Sequence, residues 1–115
     1  MDRSDPRYIA AVKEVRTDPI SRFCFVSGRE IPQGGGDSHH VLPVSTYPHL
    51  AYTVRNIVIV LRRAHNILTD DRADQVARLP RIHNLLARMR ELDQNYYETF
   101  KKRIDAELSK MDGLY

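Results

Sequence analysis

Asp37-Ser38-His39-His40-Val41-Leu42-Pro43 and, further along, Asn56-Ile57-Val58-Ile59-Val60-Leu61-Arg62-Arg63-Ala64-His65-Asn66 decide how this chain is read. Ile57 to Leu61 is the longest unbroken run of aliphatic side chains. It lacks the alternation of a half-solvated strand, so it reads as a strand buried on both faces. His39-His40-Val41-Leu42 before Pro43 is a second strand candidate, and Arg62 to Leu68 reads as a helix running on from the buried strand. Gln33-Gly34-Gly35-Gly36-Asp37 must be a loop. Residues 43–55, with Pro43 and Pro48, read as a long structured loop.

Outward from this centre, Ser4-Asp5-Pro6 is a helix start, a capping side chain followed by proline in the first turn. Tyr8, Ile9, Val12 and Val15 then share one helical face, and Asp18-Pro19 ends the run. Arg22 to Val26, aromatic and β-branched, reads as a short strand stopped by Ser27-Gly28. Thr69-Asp70-Asp71 offers a cap for a short helix through Leu79. After Pro80, Arg81 to Met111 reads as one long helix, with Ile82, Leu85, Leu86, Met89, Leu92, Tyr96, Phe100, Ile104, Leu108 and Met111 on its stripe. Such a rod is roughly 45 Å long, longer than a small domain is wide. A second copy of the chain, making a homodimer, would cover the projecting stripe, or the first helix would fold back along it.

Composition bounds the rest. The chain has 115 residues, enough for one domain, with 42% hydrophobic and 29% charged residues. One cysteine excludes a disulfide-stapled scaffold and any zinc site made of several cysteines. No segment reaches the roughly 20 apolar residues of a membrane span, and the first residues have no signal-peptide core. The expectation is a reduced, cytoplasmic protein without a membrane partner. Net charge is only +3, but residues 55–90 hold eight arginines against Asp70, Asp71 and Asp74. Arginine outnumbers lysine 14 to 4, and its planar fork suits phosphate, so nucleic acid is the partner this points to.

The His39-His40 pair, the proline at 43, Asn56 and a histidine nine residues after it resemble the HNH endonuclease family, over about residues 22–68. The resemblance implies an α+β fold with a small ββα-metal core (about 20–70), flanked by the N-terminal helix and a C-terminal helical extension (about 71–112), all one domain. It also implies a metal-dependent DNA endonuclease of the kind found in phages and prophages. Neighbouring strand residues point to opposite faces. His39 can therefore bind the metal with His65 from the helix, while His40 faces a water as general base. Asn56 would hold the loop and orient that base. Two imidazoles leave positions open for phosphate oxygens, and the divalent ion stays open among Mg, Mn, Ni and Zn. Arg55, Arg62, Arg63 and Arg72 flank the motif and are the first candidates for DNA phosphate contacts.

The chain departs from the family in two ways. Many relatives carry a zinc ribbon of two Cys-x-x-Cys pairs, which here would fall at Cys24 and Ser27 and at Leu61 and Ala64. Three of those four ligands are missing, so no structural zinc is expected, and Leu61 and Ala64 are expected to pack on Cys24 and Phe25 instead. A further histidine that some relatives place four residues after the helix histidine is Thr69 here. Asp37, His49 or Asn66 could supplement the ligand set. A catalytically silent DNA- or protein-binding module on the same scaffold, and a helical dimerisation protein, are the competing readings.

Overall fold

Asp5 caps the first helix, its carboxylate accepting from the Arg7 backbone N–H at 2.8 Å. Pro6 takes the first helical position, where a missing N–H costs nothing. From there α1 (Pro6–Thr17) runs in the computed structural model, which describes residues 1–112. Its buried face is Tyr8, Ala11 and Val15. Ile9, expected on that face, is 54% exposed, and Ala11 takes the place instead. The Arg7 side chain and backbone, with Tyr52 adding a hydroxyl, hold the Asp5 carboxyl down at about 2. A depressed carboxyl stabilises the fold fully above its ordinary 3.8 and loses that contribution as pH falls toward about 2. Wild type should therefore melt above Asp5→Asn at neutral pH, with the gap closing through this acid window. A gap independent of pH would remove the charge from the account.

The sheet has two antiparallel strands, β1 (Asp37–His40) and β2 (Ile57–Val60). Asp37 pairs with Val60, Ser38 with Ile59, His39 with Val58 and His40 with Ile57. Every β2 residue is buried, as its unbroken apolar run requires. Gly36 enters β1 at φ +80°, and a Cβ there would meet the Ile59 side chain at 2.8 Å. Only glycine meets both conditions.

Two strand expectations are corrected. The second strand candidate lies two residues earlier, because the Asn56 side chain, and not a ladder partner, takes up the backbone of Leu42. Arg22–Val26 forms a turn with a single bridge, Phe23 to Glu30, and no strand. Cys24 C=O accepts from Gly28 N–H at 2.9 Å and Cys24 N–H donates to Arg29 C=O at 2.8 Å, so the chain reverses before a ladder can grow. The turn still docks on the sheet, with Phe25 N–H donating to Ile59 C=O at 3.1 Å. The expected packing beside it is present. Cys24 and Ala64 are both in the core, Leu61 and Phe25 pack against it, and Leu61 N–H donates to Cys24 Sγ at 3.4 Å.

Beyond the sheet come α2 (Arg62–Thr69), α3 (Ala73–Ala77), α4 (Ile82–Leu92) and α5 (Gln94–Asp112), making an α+β domain of five α-helices among the described residues. The cap expected at Thr69–Asp71 is not used, because α2 continues through Thr69. Asp71 makes the turn at φ 53° and α3 starts behind Arg72. The long C-terminal helix is also corrected. Asp93 is extended (φ −160°, ψ 113°), and its carboxylate accepts from Tyr96 N–H at 2.9 Å, restarting the helix as α5.

The break lets α5 pack on α3 and α4. Leu85, Met89 and Ile104 are thereby sunk in the shared core, while Leu108 is left 40% exposed. The projecting rod on which the homodimer argument rested is absent. A chain ending at Leu79 would lose Leu85, Met89 and Ile104, each typically worth about 2–5 kcal/mol against a total stability of about 5–15 kcal/mol. It should show no cooperative thermal transition by circular dichroism. A folded truncated chain would contradict this packing.

Candidate active site

The pleat of β1 divides its four side chains between two helices. Asp37 and His39, opposite Val60 and Val58, face α2, and the His39 and His65 rings lie edge to face with centroids 5.3 Å apart. Ser38 and His40, opposite Ile59 and Ile57, face α1, where the Tyr8 ring stacks on His40 at 5.6 Å. In this two-stranded sheet β1 has a strand on one side only. His39 and His40 thus emerge on the two faces of an unpaired edge.

The chemistry of the His39–His65 pair suits a metal. Burial, then the charges of His65, His40 and Arg3, push the His39 imidazole down to about 4, so it is neutral with its lone pair free. His65 Nδ1 is buried and has no hydrogen-bond partner, a costly state for a polar atom. With metal–nitrogen bonds of about 2.1 Å, two imidazole centroids on one tetrahedral ion stand roughly 5 Å apart, close to the observed spacing. Among the described residues no group of three or more His, Cys, Asp and Glu side chains is arranged to hold a metal. The pair offers two imidazole ligands, and water or substrate oxygens would complete the shell.

His40 is held by its other nitrogen. Nε2 lies 3.0 Å from the Ala51 C=O, and because a carbonyl can only accept, Nε2 carries the hydrogen. Nδ1 then bears the lone pair. Burial lowers the His40 pKa, partly offset by the Ala51 contact, so the ring has a free lone pair at neutral pH.

Asn56 is the only polar residue fully withdrawn from solvent among those described. Its Oδ1 accepts from Leu42 N–H at 2.7 Å, and its Nδ2 donates to Leu42 C=O at 3.1 Å and Leu50 C=O at 3.3 Å. It clamps the two ends of the loop whose next residue, Ala51, anchors His40.

Comparison with known protein families, curated proteins and solved structures finds no match to this chain.

The four arginines singled out from sequence do not converge. Arg55 is gripped by Glu91 through Nε at 2.7 Å and Nη2 at 2.6 Å, and it lines a different pocket with Phe25 and Arg88. Arg63 lines a third, beside Ser27 and Arg29. Arg72 pairs with Asp70 at 3.1 Å. Only Arg62 reaches the face that carries Asp37 and His39. Its Nε is 2.8 Å from Asp37 Oδ2, although only Nη2 to Oδ1, at 3.2 Å, has the direction of a hydrogen bond.

The arginines that do join it are Arg3 and Arg16. With Arg62, Asp37 and His65 they line a pocket of about 300 Å³. Their sequence positions gave no signal, since Arg3 precedes the first helix and Arg16 lies on it, twenty residues before Gly36. Tyr8 was legible only as a core position, not as the ring against His40.

Proposed function

We propose that the chain is a metal-dependent DNA endonuclease with an HNH-like ββα-metal centre, in which His39 and His65 hold one divalent ion and His40 is the general base. The observation that carries this is the His39–His65 pair, two imidazoles at ligand spacing, with the Nδ1 of His65 buried and unpartnered. The β1, β2, α2 order and the resemblance of the motif support it.

When bound, a divalent ion supplies charge stabilisation at the phosphate and at the leaving 3′ oxygen. The protein supplies the rest. His40 Nδ1 accepts a proton from water while Ala51 holds Nε2–H and fixes the ring. Asn56 keeps the loop, and with it the Ala51 carbonyl, in register. The reaction would be hydrolysis of a DNA phosphodiester to 5′-phosphate and 3′-hydroxyl ends.

One observation favours a second reading, a module that binds DNA without cutting it. His40 lies under Tyr8, whose hydroxyl is bonded to Ser38, so the base is part-covered. The same experiment decides between them. Supercoiled plasmid is incubated with the protein and Mg, Mn, Ni or Zn, beside His40→Ala and His65→Ala. Nicking lost in both variants supports the nuclease, and inactivity with every metal alongside salt-sensitive binding supports the silent module.

A further inference from the structure

Three guanidinium groups from separate parts of the chain meet at one pocket, and each is held there by the protein. Arg16 donates to Gly35 C=O at 2.8 Å and to Gly36 C=O at 3.1 Å, the two residues that lead into β1. Arg3 Nη1 lies 3.3 Å from Ser38 Oγ and 3.4 Å from Tyr8 Oη. Arg62 is oriented by Asp37. A guanidinium has five N–H donors, and none of these three spends more than two or three of them on the protein. The pocket thus presents unspent, pre-oriented N–H groups around one carboxylate, three cationic side chains against a single anionic one. Its anion, Asp37, pairs with an Arg62 side chain that is 76% exposed. Such exposed pairs are weak, so an incoming anion displaces little. His65, one of the two imidazoles of the candidate metal pair, lines the same pocket.

We infer that this pocket binds a phosphate group of a nucleic-acid strand, held by Arg3, Arg16 and Arg62 next to the phosphate at the His39–His65 pair. The inference rests on the nuclease reading for its neighbour and deepens it, since it names how the strand is gripped. Contacts of this kind read the backbone and carry no base preference. The pocket also gives α1 a role in the site. Arg3 precedes the helix and Arg16 sits in its last turn, so its docking sets the distance between the gripped phosphate and the imidazole pair. A free phosphate ion has the same chemistry, and the experiment separates the two sources.

The test uses the full chain in excess chelator, so that no metal contributes, and a short labelled DNA duplex titrated by fluorescence anisotropy at several salt concentrations. Arg3→Gln and Arg62→Gln are each expected to weaken binding about tenfold. Each should also reduce the salt slope by about one unit, equally for unrelated sequences. Arg78→Gln, outside the pocket, should change neither. Arg16→Gln removes the brace on Gly35 and Gly36, so thermal midpoints accompany all variants, and Arg3→Gln and Arg62→Gln carry the decision.

Wild-type affinity and slope in both of those variants would overturn the inference even if metal-supported nicking persists, leaving the nuclease reading intact. The expected slope changes with no nicking in any metal would support the pocket and remove the nuclease. Inorganic phosphate is the other arm. Binding of phosphate that is lost in Arg3→Gln, with duplex binding unchanged in that variant, would assign the pocket to the free ion and overturn the strand inference.

Discussion

His65→Ala should abolish metal-supported plasmid nicking by removing the ion, whereas His40→Ala should abolish it with the ion still bound. The two losses have different physical origins and are separable. His65 and His39 face each other across the β1–α2 contact, so truncating either leaves a single imidazole. Even losing a hydrogen-bond partner of a ligand typically costs about 10–100-fold in metal affinity, and losing a ligand should cost more. His40 lies on the opposite face of β1 against Tyr8, so its removal should leave affinity for Mn or Ni unchanged by calorimetry. Nicking should nevertheless fall by about 10²–10⁴-fold, the usual contribution of a positioned general base. Unchanged metal affinity in both His39→Ala and His65→Ala would dismiss the pair as the metal site. Unchanged nicking in His40→Ala would dismiss it as the base.

The parts of this protein that were legible in the sequence are those where local chemistry and tertiary structure agree. The unbroken run Ile57–Leu61 admits little but a buried strand, and Asp5-Pro6 starts α1 because capping and proline geometry act within one turn. The long-helix expectation failed for an instructive reason. Apolar positions on both sides of Asp93 keep helical steps of three and four, so spacing alone reads through the break. The local signal was Asp93 itself, an acidic side chain able to cap the N-terminus of a new helix at Tyr96.

Arg22–Val26 failed in the opposite sense. Its residues suit a strand, but β propensity reflects available partners, and the turn at Ser27-Gly28 leaves only one bridge. In the site, the His39, His40, Asn56 and His65 pattern was visible because its members lie at fixed intervals along adjoining elements. Arg3 and Arg16 were not, since only the docking of α1 against the sheet brings them beside Asp37. The charge-rich interval 55–90 drew attention to arginines that the fold spends elsewhere, Arg55 on Glu91 and Arg72 on Asp70.

Asn56→Asp should be the most damaging conservative substitution in the chain, worse at neutral pH than Asn56→Ala. Asn56 is fully buried and satisfies one donor and two acceptors of the loop backbone. Alanine leaves those groups unpaired, at about 1–3 kcal/mol each, a large part of a total of about 5–15 kcal/mol. Aspartate keeps the acceptor for Leu42 N–H but turns its second oxygen toward the carbonyls of Leu42 and Leu50. A buried carboxylate facing two carbonyl oxygens is worse than a void, so its pKa must rise well above the ordinary value. The sign of the linkage then reverses. A carboxyl whose folded pKa is raised is destabilising at neutral pH and recovers as it protonates, because the neutral acid can donate to one carbonyl while still accepting from Leu42 N–H. Relative to wild type at the same pH, thermal midpoints of Asn56→Asp should therefore climb as pH falls from neutral toward about 4, while those of Asn56→Ala show no such climb. Because the clamp on Leu50 is adjacent to the Ala51 carbonyl that holds His40, the nicking deficit of Asn56→Asp relative to wild type at the same pH should shrink as the fold recovers. A variant as stable as wild type at neutral pH would mean that the Nδ2 contacts do not hold the loop, and the role of Asn56 in placing His40 would fall with them.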